Sequence, residues 1–438
     1  MEGRENGNDR AEKADMEVDV AIAGGGLAGL SLAVGLHHRG IDAYVFEKAP
    51  HLRMDSATGV SLAPNAMRAL EGVKPGLSKQ FEVIAMWTAV YHVVRYEDGS
   101  ETRQLMPGEY SMAGWRFCQQ VLANNVDNSK VLCNHRFLSY KTVQGGVEAQ
   151  FLVKGENGEE SDCIKVVRAK LLVGADGLWS RVRHIMVGDR PRYLNYLNWN
   201  ALVYTPNGKV FNYNKGEVNM IHSRDERVVA YMSDIGRGYC LWLLRCLDTD
   251  GKLEKDFEER FSAGLDKRVS KQRALDMLKQ MKGWDDLRAA IEATDHNLIY
   301  ERRSMDRLPL DKWTDEGGHV LLIGDAAHGM YSGAGMGART AFEDSDQLTV
   351  ELEKAFKTSN IEKGIQDALH RFEFQRITRV CKIQRFASDM TEQECFQSEE
   401  ARRLVAEQKA ERFNEFTKWT CQYPFNMQGD VNSTWCKP

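Results

Sequence analysis

The sequence predicts an α/β fold: a parallel sheet with covering helices, interrupted by a mainly antiparallel sheet and followed by a helical C-terminal region. Three observations predict it. Residues Val18–Lys48, VDVAIAGGGLAGLSLAVGLHHRGIDAYVFEK, read as strand, Gly-rich turn, helix and strand. Residues Val320–Leu348, VLLIGDAAHGMYSGAGMGARTAFEDSDQL, run a second buried strand into a second Gly-rich turn about 300 positions later. Between them, residues 196–306 carry strand-like runs bounded by turn residues.

The first segment has a physical reading at each position. Val18, Val20 and Ile22 alternate and then meet glycine, the mark of a short buried strand. Gly24, Gly26 and Gly29 have the G-x-G-x-x-G spacing. The first permits a tight turn, the second lets backbone approach a pyrophosphate, and the third lets the next helix pack on the strand. The helix expected from Leu27 to Arg39 points its N-terminus, with Leu27 and Ala28, at the phosphates. The strand Ala43 to Phe46 ends in Glu47, placed to accept hydrogen bonds from a ribose, with Lys48 beside it. This is a Rossmann-like unit. Alone it serves NAD or FAD, but two Gly-rich turns gripping one dinucleotide from distant parts of the chain point to FAD.

Composition sets bounds. The 438 residues suffice for two or three domains, or for one domain with an intimate second layer. A hydrophobic share of 42% and a charged share of 28% describe an ordinary globular protein. A net charge of -5 and the lack of a basic run argue against a nucleic-acid partner. No apolar run approaches the ~18 residues of a transmembrane helix. Nine cysteines, odd in number and without C-x-x-C, suit reduced thiols and a cytoplasmic location. No His/Cys group has metal spacing, so no metal site is expected.

The expected organisation follows the pattern changes. Residues 1–16 are a polar, disordered leader; 17–195 form the first part of the FAD-binding domain; 196–306 form an inserted substrate domain. Residues 307–390 return to the FAD-binding domain and its helix, and 391–438 form a helical extension and tail. KVFNYN, EVNMIHS, RVVAYMSD and YCLWLLRCL read as strands of the insert, and ERFSAGLDKRVSKQRALDMLKQMKGW as helix.

Three motifs in this order resemble those of the class A flavin-dependent monooxygenases: GGGLAG with Glu47, LLVGADGLWSRVR from Leu171 to Arg183, and GDAAH from Gly324 to His328 followed by GAGMGA. GVSLAPNAMRAL, Gly59 to Leu70, is a weaker match. The resemblance runs from about Val18 to about Ala387. It implies that Gly324 and Asp325 meet the ribityl or pyrophosphate part of FAD, and that amides from Gly335, Met336, Gly337 and Ala338 approach the flavin ring. It implies a cofactor role for Asp176 in the second motif, for Arg116 at a helix start, and for Thr58 and Gly59 in a turn over the cofactor. Asp325 also has a plainer reading as a helix N-cap, and His328 as packing or capping. Arg181 and Arg183 read equally as phosphate partners and as a basic face.

The chain departs from the family pattern at several places. Ser332 stands where the family has proline beside the reacting edge of the flavin, and Met336 where it has glutamine. Thr58 replaces an alanine, and Phe117 and Cys118 replace a small and an acidic residue. Asn200 follows Trp199 where an arginine is common, which removes a charge partner for a carboxylated substrate.

The chemistry implied is reduction of FAD by NAD(P)H, a transient reductant with no second Gly-rich domain of its own. Dioxygen then reacts to give a flavin hydroperoxide that hydroxylates an aromatic or electron-rich small molecule. The alternatives are an epoxidase or oxidative-cyclisation enzyme acting on an isoprenoid or polyketide, and a non-catalytic flavin-binding module. Candidate substrate contacts in the insert are Tyr213, Met220, His222, Tyr231 and Trp242, about half of them inward by strand alternation. His222 and Tyr231 are candidate bases for a phenol, and Ser332 is the candidate at the flavin edge.

Overall fold

The computed structural model describes residues 14–52, 56–96, 98–105, 110–155, 163–205, 217–223, 227–279, 281–392, 415–416 and 418–423. Its first sheet has seven strands. Five run parallel in the order Val131–Leu132, Ala43–Phe46, Met16–Ala23, Cys163–Gly174, Val320–Leu322. Val20, Ala21, Ile22 and Ala23 are all buried, because helices cover both faces of a parallel sheet. The strand Cys163–Gly174 has two neighbours on one edge. Residues 163–169 pair antiparallel with Gly146–Val153, and Leu172 to Gly174 pair with Val320 to Leu322. The carboxyl ends of three strands therefore lie side by side. From them emerge the three motif turns, at Gly24, Asp176 and Gly324, where open α/β sheets bind ligands.

The helix Leu27–His38 is buried along most of its length, wedged between this sheet and the helix Gly337–Phe356. Ser31 and Ser345 hydroxyls join the two helices at 2.6 Å. The two Gly-rich segments are thus packed together although 314 residues separate these serines.

The second sheet has nine strands. Its order is Tyr300–Asp306, Arg192–Tyr204, Tyr239–Leu247, Val228–Asp234, Glu217–Ser223, Met86–Arg95, Tyr110–Gly114, Gly59–Leu62, with Glu101–Leu105 against Met86–Arg95. One face carries Leu197, Trp199, Ile221, Met232, Trp242 and Leu244 and packs on Phe257, Leu278, Trp284 and Leu287. The other carries Val90, Met112, Leu202, Val218 and Leu241, with Met220, Tyr231 and Tyr239, and turns towards Ala57.

Several expected boundaries shift. The second sheet is not confined to residues 196–306, since four of its strands come from residues 59–114. They run beside the insert because Glu217–Ser223 pairs in parallel with Met86–Arg95. Asp15 and Met16, placed in the leader, pair with Val166 and Val167. The helical run after 258 is broken at Gly264, in a left-handed conformation (φ +87°), giving Lys252–Ser262 and Lys267–Leu278. The helix Ile361–Glu392 closes the main body, and Phe416 stacks on Phe386 at 3.7 Å. KVFNYN and most of 391–438 lie outside the described residues.

Candidate active site

The first turn is shaped from both sides. Gly24 has φ +113°, and a Cβ there would stand 2.4 Å from the Ala175 carbonyl oxygen. A Cβ on Gly29 would stand 2.0 Å from the Gly24 oxygen, so the helix packs only because the side chain is missing. Gly26 is different: a Cβ there meets nothing within 4 Å. It is the N-cap of its helix, with no side-chain acceptor for the amides of Leu27, Ala28 and Gly29. Uncapped amides facing open space are a site for a phosphate.

Glu47 is held by the turn it serves. Its Oε2 accepts from Gly25 N at 2.7 Å and its Oε1 from Ala49 N at 2.9 Å. Backbone amides therefore orient the carboxylate that the sequence assigns to a ribose. Lys48 is exposed beside it. Gln119 holds the turn from below, donating from Nε2 to the Gly25 oxygen at 2.7 Å.

Asp325 is the first residue of the short helix Asp325–His328, whose N-cap is Gly324. Among the described residues its carboxylate accepts no amide, so geometry excludes the plain N-cap role. The side chain is exposed, yet the enclosing protein raises its carboxyl pKa, with His328 opposing. Both hold for a group lining an opening walled by protein. A Cβ on Gly337 would lie 3.5 Å from its Oδ1, so Asp325 faces the start of the helix Gly337–Phe356. That helix begins after Gly335 (φ +64°), and its N-cap Met336 offers no side-chain acceptor. The first-turn amides of Gly337 and Ala338 are uncapped like those at Leu27.

Buried charge fixes this segment. His328 packs under it, its Nε2 2.6 Å from Asp344 Oδ2, and Gly324 N donates to the same oxygen at 3.0 Å. Arg376 Nε holds Asp344 Oδ1 at 2.9 Å. Glu343 next to it accepts from Arg376, Arg379 and Asn65.

In the second motif the Asp176 carboxylate accepts from Ser180 Oγ at 2.5 Å, Arg181 N at 2.7 Å and Val182 N at 3.2 Å, and so caps the helix Arg181–Val187 beside the turn. Burial raises its pKa and these donors oppose. Arg183 is fully buried and donates to the carbonyls of Ala327 and Leu308 and to Asp189. It ties this helix to the GDAAH segment and has no exposed surface to offer a phosphate.

One face of the strand Tyr239–Leu247 connects these parts. Tyr239 lies under the Arg116 guanidinium at 4.4 Å, and Phe117 flanks that guanidinium at 4.7 Å. Leu241 lies 3.0 Å from the Cβ position of Gly59. Thr58 is tied to the same place, its carbonyl accepting from Trp115 N at 2.9 Å. Arg245, further along, donates from Nη2 to Ser332 Oγ at 3.3 Å. Arg116, Thr58, Gly59 and Ser332 are thus brought along one sheet face.

Strand register sorts the substrate candidates. Tyr231 pairs with Met220 on one side and Leu243 on the other, and His222 and Arg245 both pair with Val229. Met220, Tyr231 and His222 therefore share the face of Arg245. Trp242 points the other way and donates from Nε1 to Thr294 Oγ1 at 2.9 Å, so it is core. Tyr213 lies outside the described residues. Burial pushes the Tyr231 phenol well above its usual pKa, with Ser233 and Arg339 opposing. His222 lies against His92, ring centres 4.5 Å apart. Asn200 donates to the Ala57 oxygen at 2.5 Å, bracing the segment before Thr58.

A family model described as FAD binding domain matches residues 17–299, well over half of the chain. The chain belongs to the class A FAD-dependent monooxygenase family. It is similar to the chloroplastic zeaxanthin epoxidase of an Oncidium hybrid cultivar, 29% identical over 83% of this chain and 53% of that protein. It is similar to 3-hydroxybenzoate 6-hydroxylase 1 of Aquipseudomonas alcaligenes, 28% identical over 85% of this chain and 89% of that one. The crystal structure of Klebsiella pneumoniae HpxO complexed with FAD and uric acid matches with a TM-score of 0.72 and 19% identity, covering 93% of this chain and 96% of that one. That match shows the fold. The chain spans about half the length of the zeaxanthin epoxidases it matches.

In this family member the open Gly26, two uncapped helix starts and the enclosed Asp325 fit a dinucleotide. Residues that sequence reasoning missed are Gln119, Asp344, Arg376, Arg379 and Arg245. Each acts on a motif tens to hundreds of positions away, and none lies in a motif spacing that marks it. Asp344, inside FEDSDQL, and Gln119, next to Cys118, sit near positions the sequence singles out. Among the described residues no helix is long and apolar enough to cross a membrane.

Proposed function

We propose that this protein is an FAD-dependent monooxygenase that consumes NAD(P)H and dioxygen and hydroxylates an aromatic or similarly electron-rich small molecule. One observation carries the reading: a single face of Tyr239–Leu247 runs from Arg116 to Ser332, with Met220, Tyr231 and His222 beside it. A half-apolar, half-polar wall next to a dinucleotide site is what a small organic substrate needs.

Bound FAD supplies the redox chemistry, accepting reducing equivalents from the nicotinamide and passing them to dioxygen. The protein does the rest. The amides of Leu27 to Gly29 hold phosphate, and Asp325 with the amides of Gly337 and Ala338 lines the opening for the rest of the cofactor. Leu241, Leu243 and Met220 exclude water from the sheet face. Tyr231, kept protonated by burial, donates a hydrogen bond to substrate rather than removing a proton. His222 is the remaining base candidate on that face. Relatives named for 3-hydroxybenzoate, 6-hydroxynicotinate and urate support a ring hydroxylation. Similarity to the zeaxanthin epoxidases keeps epoxidation of an olefin as the second reading.

The test is NAD(P)H oxidation by the yellow protein with a panel of phenols, heteroaromatic hydroxyl compounds and olefins. A product heavier by one oxygen atom is expected from a ring substrate. Oxygenation of olefins alone selects the second reading. Flavin-loaded protein that never accelerates NAD(P)H oxidation with any compound overturns both.

A further inference from the structure

Arg245 is 4% exposed, and among the described residues every partner of its guanidinium is neutral. Its Nε donates to Asn198 Oδ1 at 2.8 Å, Nη1 to the Tyr331 hydroxyl, and Nη2 to Ser332 Oγ at 3.3 Å. The rings of Tyr331 and Tyr196 lie 4.5 Å and 6.0 Å from it. Several other buried arginines have carboxylates: Arg183 has Asp189, Arg376 has Glu343 and Asp344, and Arg379 has Glu343, while Arg339, also buried, donates to Ser61 and to the Met336 sulfur. A buried cation without a counter-charge is costly to keep. Of the five N–H groups of a guanidinium, three have acceptors here, and the bond to Ser332 is long. Ser332 itself is exposed, at the open end of the cluster.

Resting on the monooxygenase reading above, we propose that Arg245 is the anion-binding residue of the substrate site. The substrate it takes is a planar ring bearing an anionic oxygen, as carboxylate or ionised phenol. The anion sits beside Ser332. There it accepts from Arg245 Nη2, and the Ser332 hydroxyl, now an acceptor, turns to donate. Asn198 and the two tyrosine rings hold the guanidinium in place before the anion arrives. The arginine absent at position 200 is thereby answered from the adjoining strand: Asn200 and Leu243 are opposite one another, and Arg245 is two residues beyond Leu243 on the same face. His222 lies in the Arg245 row two strands away, about 10 Å at usual strand spacing. A single aromatic ring spans much of that distance, which orients the far edge of the ring towards the base candidate.

The test uses FAD-loaded full-length protein and follows the flavin absorbance as benzoate, its neutral counterpart benzamide, and 4-nitrophenol below and above its own ionisation are titrated in. Wild type should bind benzoate or the nitrophenolate at least about tenfold more tightly than the neutral form, as charge-assisted bonds are the stronger. Arg245→Met should bring the anion down to the neutral level without changing benzamide binding. Arg245→Lys should keep part of the preference. A preference for either anion that depends on Arg245 supports the proposal. Equal binding of anion and neutral form in wild type, no binding of either anion at millimolar concentration, or an undiminished preference in folded Arg245→Met overturns it. If Arg245→Met does not fold, the wild-type ratio and the Lys variant decide. Failure of the anion preference in protein that still oxidises NAD(P)H with substrate leaves the monooxygenase reading standing; failure to hold FAD removes that reading instead.

Discussion

His328 and Asp344 face each other at 2.6 Å, both fully buried, and the same Asp344 oxygen takes the Gly324 amide. The two ends of the GDAAH segment thus hang from one carboxylate on the following helix. Burial opposes its charge, but His328 and Arg376 hold its pKa below the usual carboxylate range. Asp344→Asn leaves Arg376 short of one counter-charge and weakens the tie to Gly324. Removing one partner of a buried pair costs about 3–5 kcal/mol. The variant should melt earlier and lose FAD more readily than wild type. Equal melting and equal flavin retention would show that the segment holds its shape without this carboxylate.

Glu343 makes a pH prediction. Burial would raise its pKa, but Arg379 and Arg376 outweigh it and bring it to about 2. A group whose pKa is lower folded than unfolded adds stability above its ordinary value of 4.5 and loses it as pH falls from there towards 2. Glu343→Gln should destabilise the protein at neutral pH. The gap between wild type and variant should narrow as acid is added below the ordinary carboxyl range. A gap constant from neutral pH to acid would mean that the charge of Glu343 is not what the arginines need.

Gly26 and Gly24 separate binding from folding. A Cβ at Gly26 meets only open space, and its φ of -76° suits any residue. Gly26→Val should therefore fold with wild-type stability and be colourless, because the side chain occupies the space of the phosphates. Gly24→Ala should fail earlier, since its Cβ would strike the Ala175 carbonyl and its φ is positive. Flavin-to-protein ratio and melting temperature read the two effects. Full FAD occupancy in Gly26→Val would mean that the dinucleotide does not cross this turn.

Among the described residues no hydrogen bond holds the Asp325 carboxylate, and on the proposed reading it faces the cofactor. Asp325→Ala should leave a cofactor hydroxyl or amide unpaired, a loss of roughly 1–3 kcal/mol. FAD should bind about tenfold or more weakly. Asp325→Asn, which still accepts one hydrogen bond, should fall between. Unchanged affinity in well-folded Ala variant protein would remove Asp325 from the cofactor site.

Ser332 is exposed beside Arg245 at the end of the sheet face. Ser332→Phe should preserve FAD content while displacing the substrate, and small misplacements cost large factors in rate. More of the NAD(P)H consumed should then appear as hydrogen peroxide and less as hydroxylated product. An unchanged ratio of product to NAD(P)H, with unchanged turnover, would put this loop away from the chemistry.

What was legible in the sequence was local. The strand, turn and helix of Val18–Phe46 follow from alternation, glycine spacing and the apolar run of the helix, all settled within about thirty residues. The GDAAH turn and the alternating strands of the insert were legible for the same reason. The sequence also points to one ligand for the two glycine-rich turns, and the fold brings both turns to the carboxyl edge of one sheet.

Tertiary structure decided everything that depends on a partner far along the chain. Residues 59–114 join the second sheet because strand pairing is chosen by what lies alongside, and single-strand alternation carries no address. Alternation separates Tyr231 from its own neighbours, but only register against Met220 and Leu243 shows that Tyr231 faces the site while Trp242 faces the helices. Asp176 and Glu47 look alike as acids near glycine turns. Asp176 caps a helix through the amides of Arg181 and Val182, while Glu47 is steered by those of Gly25 and Ala49, because the nearby backbone donors belong to different elements. Arg245 shows no motif at all. Its neutral surroundings exist only after Asn198 and the pair Tyr331 and Ser332 have been gathered from two distant places in the chain, and charge burial is a property of the packed protein rather than of the residue.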